Sequence, residues 1–77
     1  MKYYELTDKT EDKNFLEGKT IHCKMTLRPE ETLLDAEVIV VKLSNGSKYK
    51  GKILQFNPIQ IGGYQVGEAT IIRIFPG

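Results

Sequence analysis

Alternation of apolar and polar residues is clearest from Lys19 to Leu27, where Ile21, Cys23, Met25 and Leu27 interleave with Thr20, His22, Lys24 and Thr26. Successive side chains of an extended chain point to opposite faces, so this segment predicts a strand with one face on a core. Ala36 to Leu43 contains the unbroken run Val38-Ile39-Val40-Val41, and apolar residues on both faces predict a strand covered on both sides. Gly67 to Phe75 reads the same way, with Ala69, Ile71, Arg73 and Phe75 on one face and Thr70, Ile72 and Ile74 on the other.

Leu43-Ser44-Asn45-Gly46-Ser47-Lys48 is the strongest local signal, because Asn-Gly readily takes the positive φ angles of a tight hairpin. It joins the Ala36 to Leu43 strand to another, Lys48 to Phe56. A two-residue loop would pair Lys42 with Tyr49, whereas a three-residue loop with Gly46 in a bulge would gather Lys42, Lys48, Lys50 and Lys52 on one face; the pattern leaves both registers open. Ile59 and Ile61 can form a short strand before a Gly62-Gly63 turn, and Pro58 keeps its start off a central position.

The first third is more polar. Lys2 to Leu6 predicts an edge strand, and Thr7 to Glu17 one short helix, with Asp8 at its start and Gly18 as a stop. Arg28 to Leu34 is a connection with a single helical turn started by Pro29, Glu30 and Glu31. Ile, Val and Thr make up 18 of the 77 residues and concentrate after residue 19. The expected fold is therefore all-β, or β-rich α+β: a strongly twisted antiparallel sheet or partial barrel of about five strands with one short N-terminal helix.

Length sharpens that expectation. Domains commonly hold about 100 to 200 residues, so 77 residues make one small domain spanning 1–77. Such a chain buries only about 60% of its unfolded surface. Cys23 is the single cysteine and His22 the single histidine, so neither a disulfide nor a tetrahedral zinc site is expected, and no cofactor either. A second subunit is the remaining source of stability, and strands apolar on both faces need one. No stretch approaches the ~20 apolar residues that span a bilayer, and no signal-peptide pattern opens the chain. The expectation is a homo-oligomer in the cytoplasm, without a membrane partner.

Charge divides unevenly. Residues 1 to 35 carry six basic and eight acidic residues, whereas residues 36 to 77 carry five and two. Lys42, Lys48, Lys50 and Lys52 supply most of the later excess, and Tyr49, Phe56 and Tyr64 lie near them in sequence. Phosphate charges beside stacking platforms are how small barrels hold single nucleic-acid strands, so these seven residues are the candidate binding surface. Lysines on a solvated strand also protect a sheet from edge pairing. Catalysis has less to work with: no second histidine can relay a proton, Ser44 and Ser47 flank a turn, and Glu37 and Glu68 are the carboxylates after residue 36. An enzyme is not expected. Gly62 to Gly67 has the interval of a phosphate loop, but Glu68-Ala69 stands where Lys and Ser or Thr belong.

Val38 to Asn57, with Asn45-Gly46 between two strands and Phe56-Asn57 at the end, resembles the first half of the Sm-like signature. Asn57 replaces the usual Asp, Ile61 stands where an Asn is expected, and only twenty residues follow, so RNA binding by a ring is not carried over. The same segment continued to Glu68 is similar to the PilZ domain, a barrel that binds cyclic dinucleotides. Asn57 and Gly62 match the spacing of its Asp/Asn-x-Ser-x-x-Gly motif, and Lys24 with Arg28 echoes its Arg-x-x-x-Arg. Ile59 at the Ser position and Lys24 at the first Arg remove ligand contacts. The expected function is a non-enzymatic binding module working through a protein interface; the alternative is a weak single-stranded nucleic-acid or nucleotide binder using the lysine hairpin.

Overall fold

The computed structural model describes residues 3–75. Strands β1 (Tyr3–Glu5), β2 (Ile21–Leu27), β3 (Val38–Lys42), β4 (Lys48–Ile61) and β5 (Tyr64–Arg73) form one sheet in the order β1-β3-β4-β5-β2, and helix α1 (Lys9–Leu16) follows β1. Lys2, expected to begin the first strand, lies outside the described residues. The sheet is mixed: β1 pairs parallel with β3, and the other neighbours are antiparallel. Parallel neighbours need a crossover connection, which α1 and β2 supply. The sheet curls into a half-barrel whose open edges are β1 and β2, and the side chains of Tyr4 and Cys23 meet between them.

Strand β2 follows its alternation fully, burying Ile21, Cys23, Met25 and Leu27 and exposing the residues between. Beside it on the inner face, Ile39 and Val41 of β3, Ile53 of β4, and Ala69 and Ile71 of β5 are all fully buried. Helix α1 closes one end of this core. Its cap is Asp8, whose carboxylate accepts the Thr10 N–H at 2.7 Å, and Gly18 ends it at φ 85°. The helix drives Phe15 into the core, where it is 0% exposed. Gly51 makes the space: a Cβ there would lie 2.9 Å from Ile71, 3.0 Å from Val41 and 3.3 Å from the Phe15 ring.

The β3–β4 hairpin takes the three-residue loop. Leu43 N–H donates to Ser47 O at 2.8 Å, Gly46 N–H to Leu43 O at 2.9 Å, and Gly46 sits at φ 92°. Lys42 therefore pairs with Lys48, Val41 with Tyr49 and Ile39 with Gly51. Asp12 of α1 accepts from the Ser44 N–H and hydroxyl, tying the helix to this turn.

Three sequence expectations are corrected. Arg28 to Leu34 contains no helical turn; Glu31 N–H closes a β-turn onto Arg28 O at 3.1 Å. The third strand and the short Ile59–Ile61 strand are one element, because a bulge at Leu54 lets β4 bend without ending. Strand β3 is not covered on both sides: Ile39 and Val41 are buried, but Val38 is 39% exposed and Val40 only half-buried.

The bulge has a larger effect than bending. Before it, Lys48, Lys50 and Lys52 face out; after it, cross-strand pairing with Thr70, Glu68, Val66 and Tyr64 turns Gln55, Asn57, Ile59 and Ile61 outward. One extra residue exchanges the faces of everything beyond it. Past Ile53 no partner from β3 flanks β4, so its last residues and the start of β5 form an arm closed by Gly62-Gly63, at φ 56° and 84°. The arm's inner face is anchored by Gln65, whose side-chain amide donates to the carbonyls of Arg28 at 3.1 Å and Glu31 at 2.7 Å.

Candidate binding surface

Register alone gathers Lys42, Lys48, Lys50 and Lys52 on the outer face. Lys48 lies opposite Lys42, Lys50 opposite Val40, and Lys52 between Val38 and Ile72. Lys42 has a distant acidic neighbour, Glu5, at 3.9 Å. Lys48, Lys50 and Lys52 have no carboxylate partner among the described residues. The stems of such lysines lie over apolar neighbours while their ammonium groups stay in water. That covering explains how an outer face holding Val40, Ile72 and Ile74 leaves these three only partly exposed.

The aromatic residues expected beside the lysines are placed differently. Tyr49 pairs with Val41 on the inner face and meets Phe15 edge-on, ring centroids 6.5 Å apart. Its rim nevertheless joins Lys48, Lys50, Val40, Arg73, Ile74 and Phe75 around a shallow depression of about 640 Å³. Phe56, turned inward past the bulge, packs on the core. Tyr64 stands on the arm, 51% exposed and opposite Ile61. The structure thus brings together the four lysines and the edge of Tyr49, and separates Phe56 and Tyr64 from them.

Two other aromatics flank the lysines. Tyr3, 57% exposed, lines a smaller depression with Val40, Lys42 and Lys48; Phe75, 55% exposed, lines the larger one. Val40 and Lys48 border both; Tyr3, level with Val40 and Lys50, stands on the outer face, whereas the Phe75 ring packs on Arg73 and Gly18 just past α1. Arg73 sets the Phe75 side. Its guanidinium carbon stacks 4.8 Å from the Tyr49 centroid and 4.5 Å from that of Phe75, and Nη1 donates to Leu16 O at the end of α1 at 3.0 Å. A cation there complements the helix dipole and fixes two rings. Its sequence signal was a lone charge in an apolar strand.

A second surface lies on the arm. Ile59 pairs with Val66 and Ile61 with Tyr64, so these four share the outer face. Ile59 is 64% exposed and Ile61 54%. Pro58 pairs with Gly67; lacking an N–H, it weakens the free edge of β4 as a template for another strand.

The remaining chemistry is sparse. Burial pushes the Cys23 thiol from its ordinary 9.0 up to about 12, with the nearby Glu11 charge adding to it; a thiol so held is a small apolar group. Burial likewise raises Tyr4 from 10.0 to about 12, helped by Cys23 and Glu11. His22 and Glu68 approach to 3.7 Å, with Thr70 3.2 Å from the ring, but both side chains are exposed on open sheet. Among the described residues, no three His, Cys, Asp or Glu side chains converge as a metal site, and no helix is long and apolar enough to cross a membrane. The cleft between the open edges, about 640 Å³, is lined by Tyr3, Tyr4, Lys24, Met25, Thr26, Leu27, Glu31 and Glu37.

Fold and surface together define a small β half-barrel with a basic outer face and an apolar arm. No protein-family profile matches the chain, and no curated protein or solved structure is detectably similar to it. Of the residues with PilZ-like spacing, Lys24 and Asn57 both pair with Glu68, and Gly62 lies at the arm's turn. A carboxylate between the two is unsuited to a phosphate ligand.

Proposed function

We propose that this protein is a non-enzymatic binding module that works as a homo-oligomer, its arm supplying the interface. The carrying observation is the exposure of Ile59, Ile61 and Tyr64, each more than half accessible, on one face of a hairpin whose opposite face is tied to the body. Large apolar side chains grouped on a surface mark interaction sites, whereas single ones need no explanation. A second copy of the chain is the proposed occupant, because an apolar stripe is complementary to its own copy and closed two-fold dimers are the commonest assembly. A single buried thiol without a disulfide partner fits a reducing compartment, and the cytoplasm is the proposed location.

Light scattering coupled to gel filtration tests this at micromolar concentration. A dimer that becomes monomeric in the I59K/I61K double variant is expected. A wild-type monomer would remove the homo-oligomer, and a dimer unchanged in the variant would move the interface elsewhere.

A further inference from the structure

We propose that the lysine row on the outer face of β3 and β4, with Tyr3 beside it, binds a single-stranded nucleic acid. This goes beyond the arm interface and does not depend on it. Lys48, Lys50 and Lys52 stand at alternate positions of one strand, so their Cα atoms recur about every 6.8 Å. That repeat suits an extended sugar-phosphate chain laid along β4. Lys42, opposite Lys48, widens the row at one end.

The Lys42–Lys48 pair works against the fold, a cost that an anionic partner offsets. Like charges placed directly across a strand pair destabilise it, and three of the four lysines have no carboxylate partner among the described residues. Val38, Val40 and Ile72 lie beside them on the same face, and Tyr3, paired with Val40, stands at the β1 margin. Charges that follow a backbone, with aromatic rings on which bases stack, describe single-strand binding. A duplex reader instead inserts an element into a groove. The described residues hold one helix, and its first turn carries Glu11 and Asp12, which repel phosphate. A lipid surface would draw on the same charge, and the test separates it.

Fluorescence anisotropy with labelled single-stranded RNA and DNA of ~12 nucleotides, over a series of salt concentrations, reads the proposal. Binding at low salt is expected, with log K falling against log salt by about 0.7 for each phosphate neutralised, hence a slope between about −2 and −3. K48E/K50E/K52E should lose binding, and K9E/K13E on α1 should keep it. Y3A should weaken binding by roughly tenfold without changing the salt slope, since it removes stacking rather than charge. Circular dichroism checks each fold; should the triple variant not fold, the wild-type slope and Y3A decide. Absence of binding at low salt overturns the proposal. So does wild-type affinity in the folded triple variant, or capture by phosphatidylserine vesicles without binding to either oligonucleotide.

Discussion

The two halves of β4 lie in the same sheet and make opposite surfaces. From Lys48 to Lys52 the strand pairs with β3, and from Gly51 on also with β5; its inner residues fill the core under Phe15, and its outer residues are lysines. From Gln55 to Ile61 it has β5 on one side, and its outer residues include Ile59 and Ile61. Local composition gives part of the difference, since Lys48, Lys50 and Lys52 all lie in the first half. The bulge at Leu54 gives the rest: without it, Phe56 would join the lysines outside and both isoleucines would turn inward. Where a strand's faces exchange, one irregular residue decides which side chains reach the surface.

The largest expected effect tests whether the body carries the stability and the arm does not. Phe15→Ala removes a ring that is 0% exposed and should cost about 3–5 kcal/mol, read as a shift in the urea midpoint. Ile59→Ser on the arm should change the stability of the monomer by no more than about 0.5 kcal/mol. Comparable losses at both positions would mean that the arm is packed as the body is, and the contrast would fail.

Gly67 sits where the two regions join. A Cβ there would meet the Asn57 carbonyl oxygen at 2.5 Å and the Pro58 Cα at 2.7 Å, both backbone atoms that cannot rotate away. Gly67→Ala should therefore cost about 1–3 kcal/mol in the thermal melt. Gly62, at the tip, has nothing within 4 Å of its added Cβ, and its alanine variant meets only the strain of a positive φ. A Gly67→Ala loss no larger than that of Gly62→Ala would show that the junction is loose.

These outcomes also mark what the sequence made legible. The alternation of β2, the capped helix and the Asn-Gly hairpin were readable because each is fixed by neighbours in the chain. Of the two hairpin registers the sequence allowed, the structure holds the one that groups the four lysines, and Ile39, Val41, Tyr49 and Gly51 decide it by filling the interior together. The bulge was not readable. Leu54 and Phe56 continue the even-numbered alternation of the lysines, and only pairing with β5, which lies beyond the Gly62-Gly63 turn, breaks it. Tyr3 was missed for a similar reason: it reaches the lysines through sheet order, not through proximity in sequence.

The open edge of the body gives a pH test. Tyr4 and Cys23 are neutral when protonated, and their unfolded values of 10.0 and 9.0 rise to about 12 in the fold. Between these values the unfolded chain holds fewer protons than the native one, so stability falls as pH rises. The contribution is fully present below about pH 9 and is lost on approach to pH 12. Urea midpoints should therefore fall through this window, and Cys23→Ala should flatten the decline. The native thiol should also resist a disulfide-forming reagent at neutral pH and react once urea unfolds the chain. An equally steep alkaline decline in Cys23→Ala would show that burial of the Cys23 thiol is not its cause.

The smallest effect carries the sharpest contrast in sign. Lys48 faces Lys42 across the β3–β4 pair, and Glu5 lies 3.9 Å from Lys42 on the other side. Lys48→Glu replaces a like-charge pair with an attractive one, so the fold should gain about 0.5 kcal/mol at low salt, less as salt screens it. The same change deletes a positive charge from the row along β4, so oligonucleotide affinity should fall and the salt slope should become shallower by about one phosphate's share. A surface lysine kept for solubility or edge protection alone would give the stability gain with no change in binding. Gain in one measurement and loss in the other would identify Lys48 as a residue held against the preference of the fold.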